Sequence, residues 1–218
     1  MATAEGILIA STLTGLLGWR SLRATRAARS EQLHFLDPFL PALEQPEVRA
    51  SALGYPVARG RLDGHALRLE LIPDTLAFRT LPVLWLEARW ARPHGGRLRV
   101  VVRPTGAEYF GHDHTLTRRF DLGDWPVPAE AWGERGSGDL LQRLLTLDPA
   151  AFPALKLVSA REHELRVVLK CAKADTSGYR VLRRARFLSP VVDPAFVDET
   201  VRVLRGIEQA LGVVPVLP

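Results

Sequence analysis

An apolar stretch near the start of the chain is followed directly by a basic segment. Residues 6–19 (GILIASTLTGLLGW) contain no charged side chain. As a helix, residues 1–19 would be roughly 28 Å long, close to the bilayer's hydrocarbon core of about 30 Å. An apolar run with arginines behind it predicts a membrane anchor over residues 1–30 whose C-terminal flank lies in the cytoplasm. The predicted interface residues are Trp19, Arg20, Arg23, Arg26 and Arg29.

Small residues recur at four-residue intervals within the predicted anchor. Such spacing lets two helix backbones approach closely in lipid, so it predicts a contact with a partner helix. The residues concerned are Gly6, Ala10, Thr14 and Gly18, with Ser11 and Gly15 beside them.

Three other interpretations of this segment stay open. A secretory signal peptide would carry its basic residues before the apolar run, whereas here they follow it. A helix lying in the interface would place its arginines on anionic lipid headgroups. An ordinary buried helix of a soluble domain could have the same small residues.

Beyond residue 30 the pattern of apolar residues changes. Residues 31–50 alternate apolar side chains with Pro38, Pro41 and Pro46, which predicts a connector with a short helix or turn. Alternating apolar and polar positions then predict strands. Turns are predicted at Asp63-Gly64 and at residues 94–96. Because each strand is followed closely by the next, we expect an antiparallel meander. The strands cover residues 54–60, 66–72, 81–90 and 97–103.

The second half begins with a long segment, residues 104–138, that is rich in Gly, Pro and Trp and is predicted to be irregular. Asp139 is the predicted N-cap of a short helix over residues 140–147. A second group of strands is predicted at residues 155–160, 164–170 and 179–187. An amphipathic helix follows, with Asp193 as its N-cap and Gly212 at its end.

These elements predict an α+β fold, with a mostly antiparallel β domain over residues 51–218 and a C-terminal helix. Residues 58–71 (ARGRLDGHALRLEL) and 156–169 (KLVSAREHELRVVL) are similar in pattern, which suggests two related halves.

Charge and cysteine content narrow the function. The chain has 218 residues and a net charge of +5, of which the four arginines after the apolar run supply most. The remainder is nearly neutral, which disfavours a nucleic-acid partner. We attribute the preference for arginine over lysine to genome composition and not to function. Cys171 is the single cysteine, so no intrachain disulfide can form, as is usual in a reducing compartment.

One group of residues could bind a metal. His112 and His114 flank Asp113, and Glu108 lies nearby in the sequence; alternate histidines can face one ion. A third ligand would have to come from a distant segment, and an exposed polar loop is the simpler interpretation, so we predict neither a metal nor a cofactor. The isolated histidines are predicted to have no role in chemistry: His34, His65, His94 and His163.

Other candidate residues are the tryptophans and Cys171. Trp85 lies within the apolar sequence VLWL and is predicted to be in the core. Trp125 and Trp132 lie in the irregular segment and are predicted to form a surface for a partner. Cys171 lies between Lys170 and Lys173, which could activate its thiol. No sequence feature supplies a general base, so we predict a half-buried structural thiol.

Part of the chain resembles an uncharacterised proteobacterial protein family. The resemblance rests on residues 71–90, including Pro73-Asp74-Thr75-Leu76 and residues 79–86 (RTLPVLWL), and on Arg103-Pro104-Thr105-Gly106. It covers about a third of the chain, and the family has no assigned activity. The resemblance implies a bacterial origin.

The sequence as a whole predicts a non-enzymatic, single-pass accessory or assembly subunit of a bacterial inner-membrane complex of the respiratory, photosynthetic or transport type. Its cytoplasmic domain would contact integral-membrane subunits through residues 104–138. Two alternatives remain: a metal-dependent enzyme with its site in residues 104–138, and a soluble protein-binding domain.

Overall fold

The computed structural model describes residues 19, 20, 23, 30–74, 81–92, 94–106, 108–110, 113, 115–175, 187 and 191–212. Most of the predicted anchor, with Gly6, Ala10, Ser11, Thr14, Gly15, Gly18, Arg26 and Arg29, lies outside the described residues. So do His112, His114 and nearly all of the strand predicted at 179–187. Among the described residues, no helix combines the length and the hydropathy needed to cross a membrane.

Nine antiparallel strands form one sheet in the described part of the chain, which confirms the α+β class. The order across the sheet is β1-β2-β3-β4-β9-β8-β5-β7-β6. The strands are β1 (Glu44–Ala50), β2 (Pro56–Leu62), β3 (His65–Asp74), β4 (Val83–Trp90), β5 (Leu98–Val102), β6 (Arg118–Phe120), β7 (Ala129–Gly133), β8 (Leu155–Arg161) and β9 (Glu164–Lys173).

The predicted meander is correct for β2, β3 and β4 and wrong for the next strand. β5 does not pair with β4, because the β8–β9 hairpin lies between them. β4, β5, β8 and β9 carry buried residues on both faces. Strands of this kind are stabilised at the centre of a sheet, where neighbouring strands and layers cover both faces. Burial therefore determined the strand order, and a sequential pairing would have left this apolar surface exposed.

Two segments contain strands that the sequence pattern did not predict. β1 lies within residues 31–50 and pairs with β2, after a 3-10 helix at Asp37–Ala42. The predicted irregular segment 104–138 contains β6 and β7, which pair with each other and, through β7, with β5. β1 contains Pro46, β6 has three residues and β7 ends at Gly133, so none of them has an alternation long enough to recognise.

Helices cover one face of the sheet. Helix α1 (Gly138–Leu144) and helix α2 (Pro194–Leu211) pack with the sheet in the main core, which includes Trp90, Leu141 and Ile207. The predicted cap of α2 is confirmed, because the Phe196 backbone N–H donates to Asp193 Oδ1 at 2.7 Å. Asp139 does not cap α1. It lies in the first turn, and Ser137 at the N-cap position donates its hydroxyl to the Arg97 carbonyl instead.

Candidate binding surface

Arginines form a line across the face of the sheet opposite the helices. The strand register places Arg59, Arg68, Arg89 and Arg166 directly opposite one another on β2, β3, β4 and β9. The same line continues through Ser159 on β8, Arg99 on β5, Trp132 on β7 and Arg119 on β6. We call these six arginines the arginine row and the face that carries them the arginine face. At about 4.8 Å between strands, the row extends roughly 34 Å.

Direct register of like charges is unfavourable in a sheet. The neighbouring row of side chains reduces this cost, because it contains Glu70, Glu87 and Glu130. Arg68 is 2.7 Å from Glu70, and Arg119 is 3.7 Å from Glu130. Arg59 is exposed and lies opposite Glu47 on the edge strand β1, but Glu47 pairs with Arg49 at 3.2 Å, and Arg59 itself has no ion pair among the described residues. The row is thus neutralised at its centre and less completely at Arg59.

Glu87 is the acid that holds the centre of the row together. Its carboxylate is buried and accepts hydrogen bonds from Arg89 Nε at 2.6 Å and from Arg166 Nε at 2.9 Å. The Tyr109 hydroxyl donates to the same carboxylate at 3.1 Å. Burial by itself would raise the pKa of Glu87, but the charges of Arg166 and Arg89 outweigh it and lower the pKa. Glu87 is therefore a fixed anion between two guanidinium groups.

The segment after β5 folds over part of the arginine face. Phe110 packs against Trp85, with ring centroids 5.3 Å apart, in a small second apolar cluster with Val101, Leu157 and Val168. Trp85 is buried, so its predicted core position is confirmed, although it lies in this cluster and not in the main core. The hydroxyl of Tyr109 on Glu87 ties the same segment to the arginine row.

The two described acids of the predicted metal group already have partners. Asp113 accepts hydrogen bonds from the Thr115 hydroxyl and backbone N–H and lies 3.5 Å from Arg161. The Thr115 hydrogen bonds lower the pKa of Asp113. Glu108 accepts from Thr105 and is 3.5 Å from Lys156. In the described part of the chain, no group of three or more His, Cys, Asp or Glu residues is arranged to bind a metal ion.

The predicted partner tryptophans are both half-buried. Trp125 packs against the main core, and its indole N–H donates to the Leu147 carbonyl at 3.2 Å. Trp132 lies on β7 beneath the Arg99 guanidinium, 5.6 Å from its ring centroid, and is part of the arginine face. Trp19, Arg20 and Arg23 are exposed, and the Arg23 guanidinium is 5.3 Å from the Trp19 ring.

Two polar residues outside the arginine face have shifted pKa values. Cys171 is half-buried; its thiol donates to the Val191 carbonyl at 3.4 Å, and burial raises its pKa to about 12. His94 is buried, and neither ring nitrogen has a hydrogen-bond partner. Burial, with Arg143 and Arg92 nearby, lowers the pKa of His94 to about 4.

Sequence reasoning missed the arginine row. Each arginine occupies an outward position in an alternating strand, which by itself indicates only a solvated face. The line becomes visible only when the register of strands that are distant in the sequence is known, as for Arg89 on β4 and Arg166 on β9.

Comparisons with known proteins give limited information. No protein-family model matches the chain, and no characterised protein matches its sequence. Among solved structures, the chain is similar to the crystal structure of the mycobacterial trehalose monomycolate transport factor A, TtfA. The match covers 73% of this chain and 74% of that one, with 14% sequence identity and a TM-score of 0.42. A similarity of this size carries no argument about function.

Proposed function

We propose that the protein is a non-enzymatic, membrane-anchored accessory subunit whose sheet domain docks through the arginine face onto an acidic cytoplasmic surface of an integral-membrane partner in the bacterial inner membrane. The observation that carries the proposal is the arginine row. Basic side chains outnumber acidic ones on the strands of this face, where Arg49, Arg61 and Lys170 accompany the row.

The strand register explains why the arginine face would bind an acidic partner. Like charges aligned across strands destabilise the isolated sheet, and an acidic partner would offset this cost. Arginine is also well suited to such a surface, because its planar guanidinium binds carboxylates in a bidentate geometry and stacks on aromatic rings. Electrostatic complementarity of this kind would accelerate docking and fix its orientation.

The predicted anchor supports the membrane part of this proposal. An apolar helix followed by Arg20, Arg23, Arg26 and Arg29 would hold the domain near the cytoplasmic leaflet, with these arginines on anionic lipid headgroups. Tethering raises the effective concentration of the domain at a membrane partner, so a docking surface of modest affinity suffices.

The test compares two charge reversals in the full-length, C-terminally tagged protein. Arg59→Glu reverses an exposed charge on the arginine face, and Arg202→Glu reverses an exposed charge on α2 at the opposite face of the sheet. Membranes are extracted with a mild detergent, and co-purifying subunits are quantified at native size over a range of salt concentrations. We expect a stoichiometric set of membrane subunits with the wild type and with Arg202→Glu.

The Arg59→Glu variant should retain these subunits at least about tenfold less tightly, because like-charge contacts oppose docking. Raising the salt concentration should weaken the wild-type complex in the same direction. A lone 24.2 kDa species from wild-type membranes would contradict the proposal. So would an equal loss of subunits in the Arg202→Glu variant, since the arginine face would then have no special role.

A further inference from the structure

A pocket with three arginines lies on the arginine face, beside the segment that carries Phe110. It encloses about 360 Å³, a size within the range of small-ligand sites. Its lining includes three guanidinium groups, one carboxylate, two hydroxyl groups and one aromatic ring, from Arg99, Arg161, Arg166, Asp113, Ser159, Thr115 and Phe110.

The strand register brings these arginines together. Arg166 on β9 and Arg99 on β5 are the direct cross-strand neighbours of Ser159 on β8. Arg161 lies two residues further along β8, so its side chain leaves the same face of the sheet. Three guanidinium groups from three adjacent strands therefore surround one serine. This arrangement requires both the β5–β8 and the β8–β9 pairings.

Among the described residues that line the pocket, there are three guanidinium groups and one carboxylate, that of Asp113. Asp113 lies 3.5 Å from Arg161 and accepts a hydrogen bond from Thr115. Glu87 accepts hydrogen bonds from both Arg166 and Arg89. Arg99 is buried, donates to the Phe110 carbonyl and lies over the Trp132 ring. Burial lowers the pKa of Arg99 and outweighs the opposing effect of the Asp113, Glu108 and Glu130 carboxylates.

We infer that this pocket binds a phosphate group, with Arg99, Arg161 and Arg166 as its cationic contacts and Ser159 as a hydroxyl donor. A dianionic tetrahedral group accepts hydrogen bonds from several directions, and a guanidinium group can donate two hydrogen bonds to its oxygens at once. The pocket volume leaves room for a small substituent on the phosphate. The phosphate could belong to a free metabolite or to a lipid headgroup. This site goes beyond the docking function proposed above and does not depend on it.

The experiment titrates the full-length protein in mild detergent with inorganic phosphate and follows binding by calorimetry, at constant ionic strength maintained with chloride. Arg161→Gln removes the most exposed of the three guanidinium groups. Arg161→Lys keeps the positive charge and removes the bidentate hydrogen bonding of the guanidinium group. Arg119→Gln is the control, because Arg119 belongs to the arginine row and lies outside the pocket.

We expect saturable binding in the wild type that is weakened at least about tenfold by Arg161→Gln, since a charge-assisted contact is lost. Arg161→Lys should give an intermediate affinity, and Arg119→Gln should change it less than twofold. Absence of saturable binding in the wild type would overturn the inference. It would also fail if Arg161→Gln had no effect, or if Arg119→Gln weakened binding equally.

Two further titrants distinguish the sources of the phosphate. Glycerol 3-phosphate represents a free metabolite, and dihexanoyl phosphatidic acid represents a lipid headgroup at a monomeric concentration. Tighter binding of the former than of inorganic phosphate supports a metabolite site, and tighter binding of the latter supports a headgroup site. Loss of phosphate binding in Arg161→Gln with the membrane complex intact would separate this site from docking, for which Arg59 is the probe.

Discussion

His94 is a buried titratable group that the fold keeps in its neutral form. His94 lies in the chain connection from β4 to β5, and its imidazole has no hydrogen-bond partner and is near the positive charges of Arg143 and Arg92. Both burial and these charges disfavour the imidazolium, so the pKa falls from the ordinary 6.5 to about 4. The unfolded chain binds the proton more readily than the folded protein throughout this interval.

Stability should therefore decrease as pH falls from about 6.5 to about 4. The unfolded state takes up a proton at His94 in this window and the folded state does not, so the unfolding free energy drops by about 3 kcal/mol. Below about pH 4 this contribution is fully lost. Urea unfolding of the full-length protein, followed by tryptophan fluorescence at several pH values, measures the effect.

The matched variants for this measurement are His94→Leu and His163→Leu. His94→Leu should remove most of the slope and should be neutral or stabilising at pH 7, because two unsatisfied buried nitrogens disappear. His163 is exposed, so His163→Leu should keep the wild-type slope. An unchanged slope in His94→Leu would show that other groups cause the acid sensitivity.

At the scale of elements, Gly133 allows β7 to pack closely against its surroundings. A Cβ at this position would lie 2.9 Å from the Arg97 carbonyl oxygen and 2.9 Å from a ring carbon of Phe120. The same Arg97 carbonyl accepts hydrogen bonds from the Glu134 backbone and the Ser137 hydroxyl. The carbonyl oxygen of Arg97, directly before β5, is therefore in close contact with the end of β7 and with the start of α1.

Gly133→Ala should lower the unfolding free energy by about 1–3 kcal/mol, because backbone atoms must shift to accept the methyl group. Gly136→Ala is the control three residues away, where an added Cβ meets no atom within 4 Å. It should change stability by less than about 0.5 kcal/mol. Chemical denaturation of both variants tests this, and equal effects would mean that the close approach at Gly133 is not a constraint.

At the scale of the whole molecule, the sheet separates two environments. Helices α1 and α2 cover one face with an apolar core, and the other face carries the arginine row, a short covering segment and the phosphate pocket. The apolar core on one face can stabilise such a sheet, while the other face is available to bind a ligand or a partner. This division underlies both proposals.

The predicted anchor gives a test at this scale. Replacing Ala10 and Thr14 with leucine would obstruct the close approach of a partner helix, while the segment would become more apolar. We expect this double variant to lose the membrane complex and to stay in the membrane fraction after a carbonate wash. Thr12→Leu is the control, since it lies on the opposite face of the predicted helix and should keep the complex. Retention of the complex by the double variant would exclude packing through these residues.

Local patterns were sufficient for the elements whose partners are near in sequence. Asp63 and Gly64 both adopt positive φ in the turn between β2 and β3, as that dipeptide predicts for a hairpin. The strands predicted at residues 155–160 and 164–170 likewise form the β8–β9 hairpin. The cap at Asp193 and the end of α2 at Gly212 were also readable, because each depends on one residue and its immediate backbone.

The sequence by itself thus determined the hairpins, the C-terminal helix and the apolar and polar faces of most strands, since turn chemistry, capping and alternation act within a few residues. Only the tertiary structure decided the strand order β4-β9-β8-β5, the pairing of β1, and the alignment of Arg99, Ser159 and Arg166. Those features depend on burying both faces of the central strands at once. The register that results brings together charges that are distant in the chain, and no local pattern contains that information.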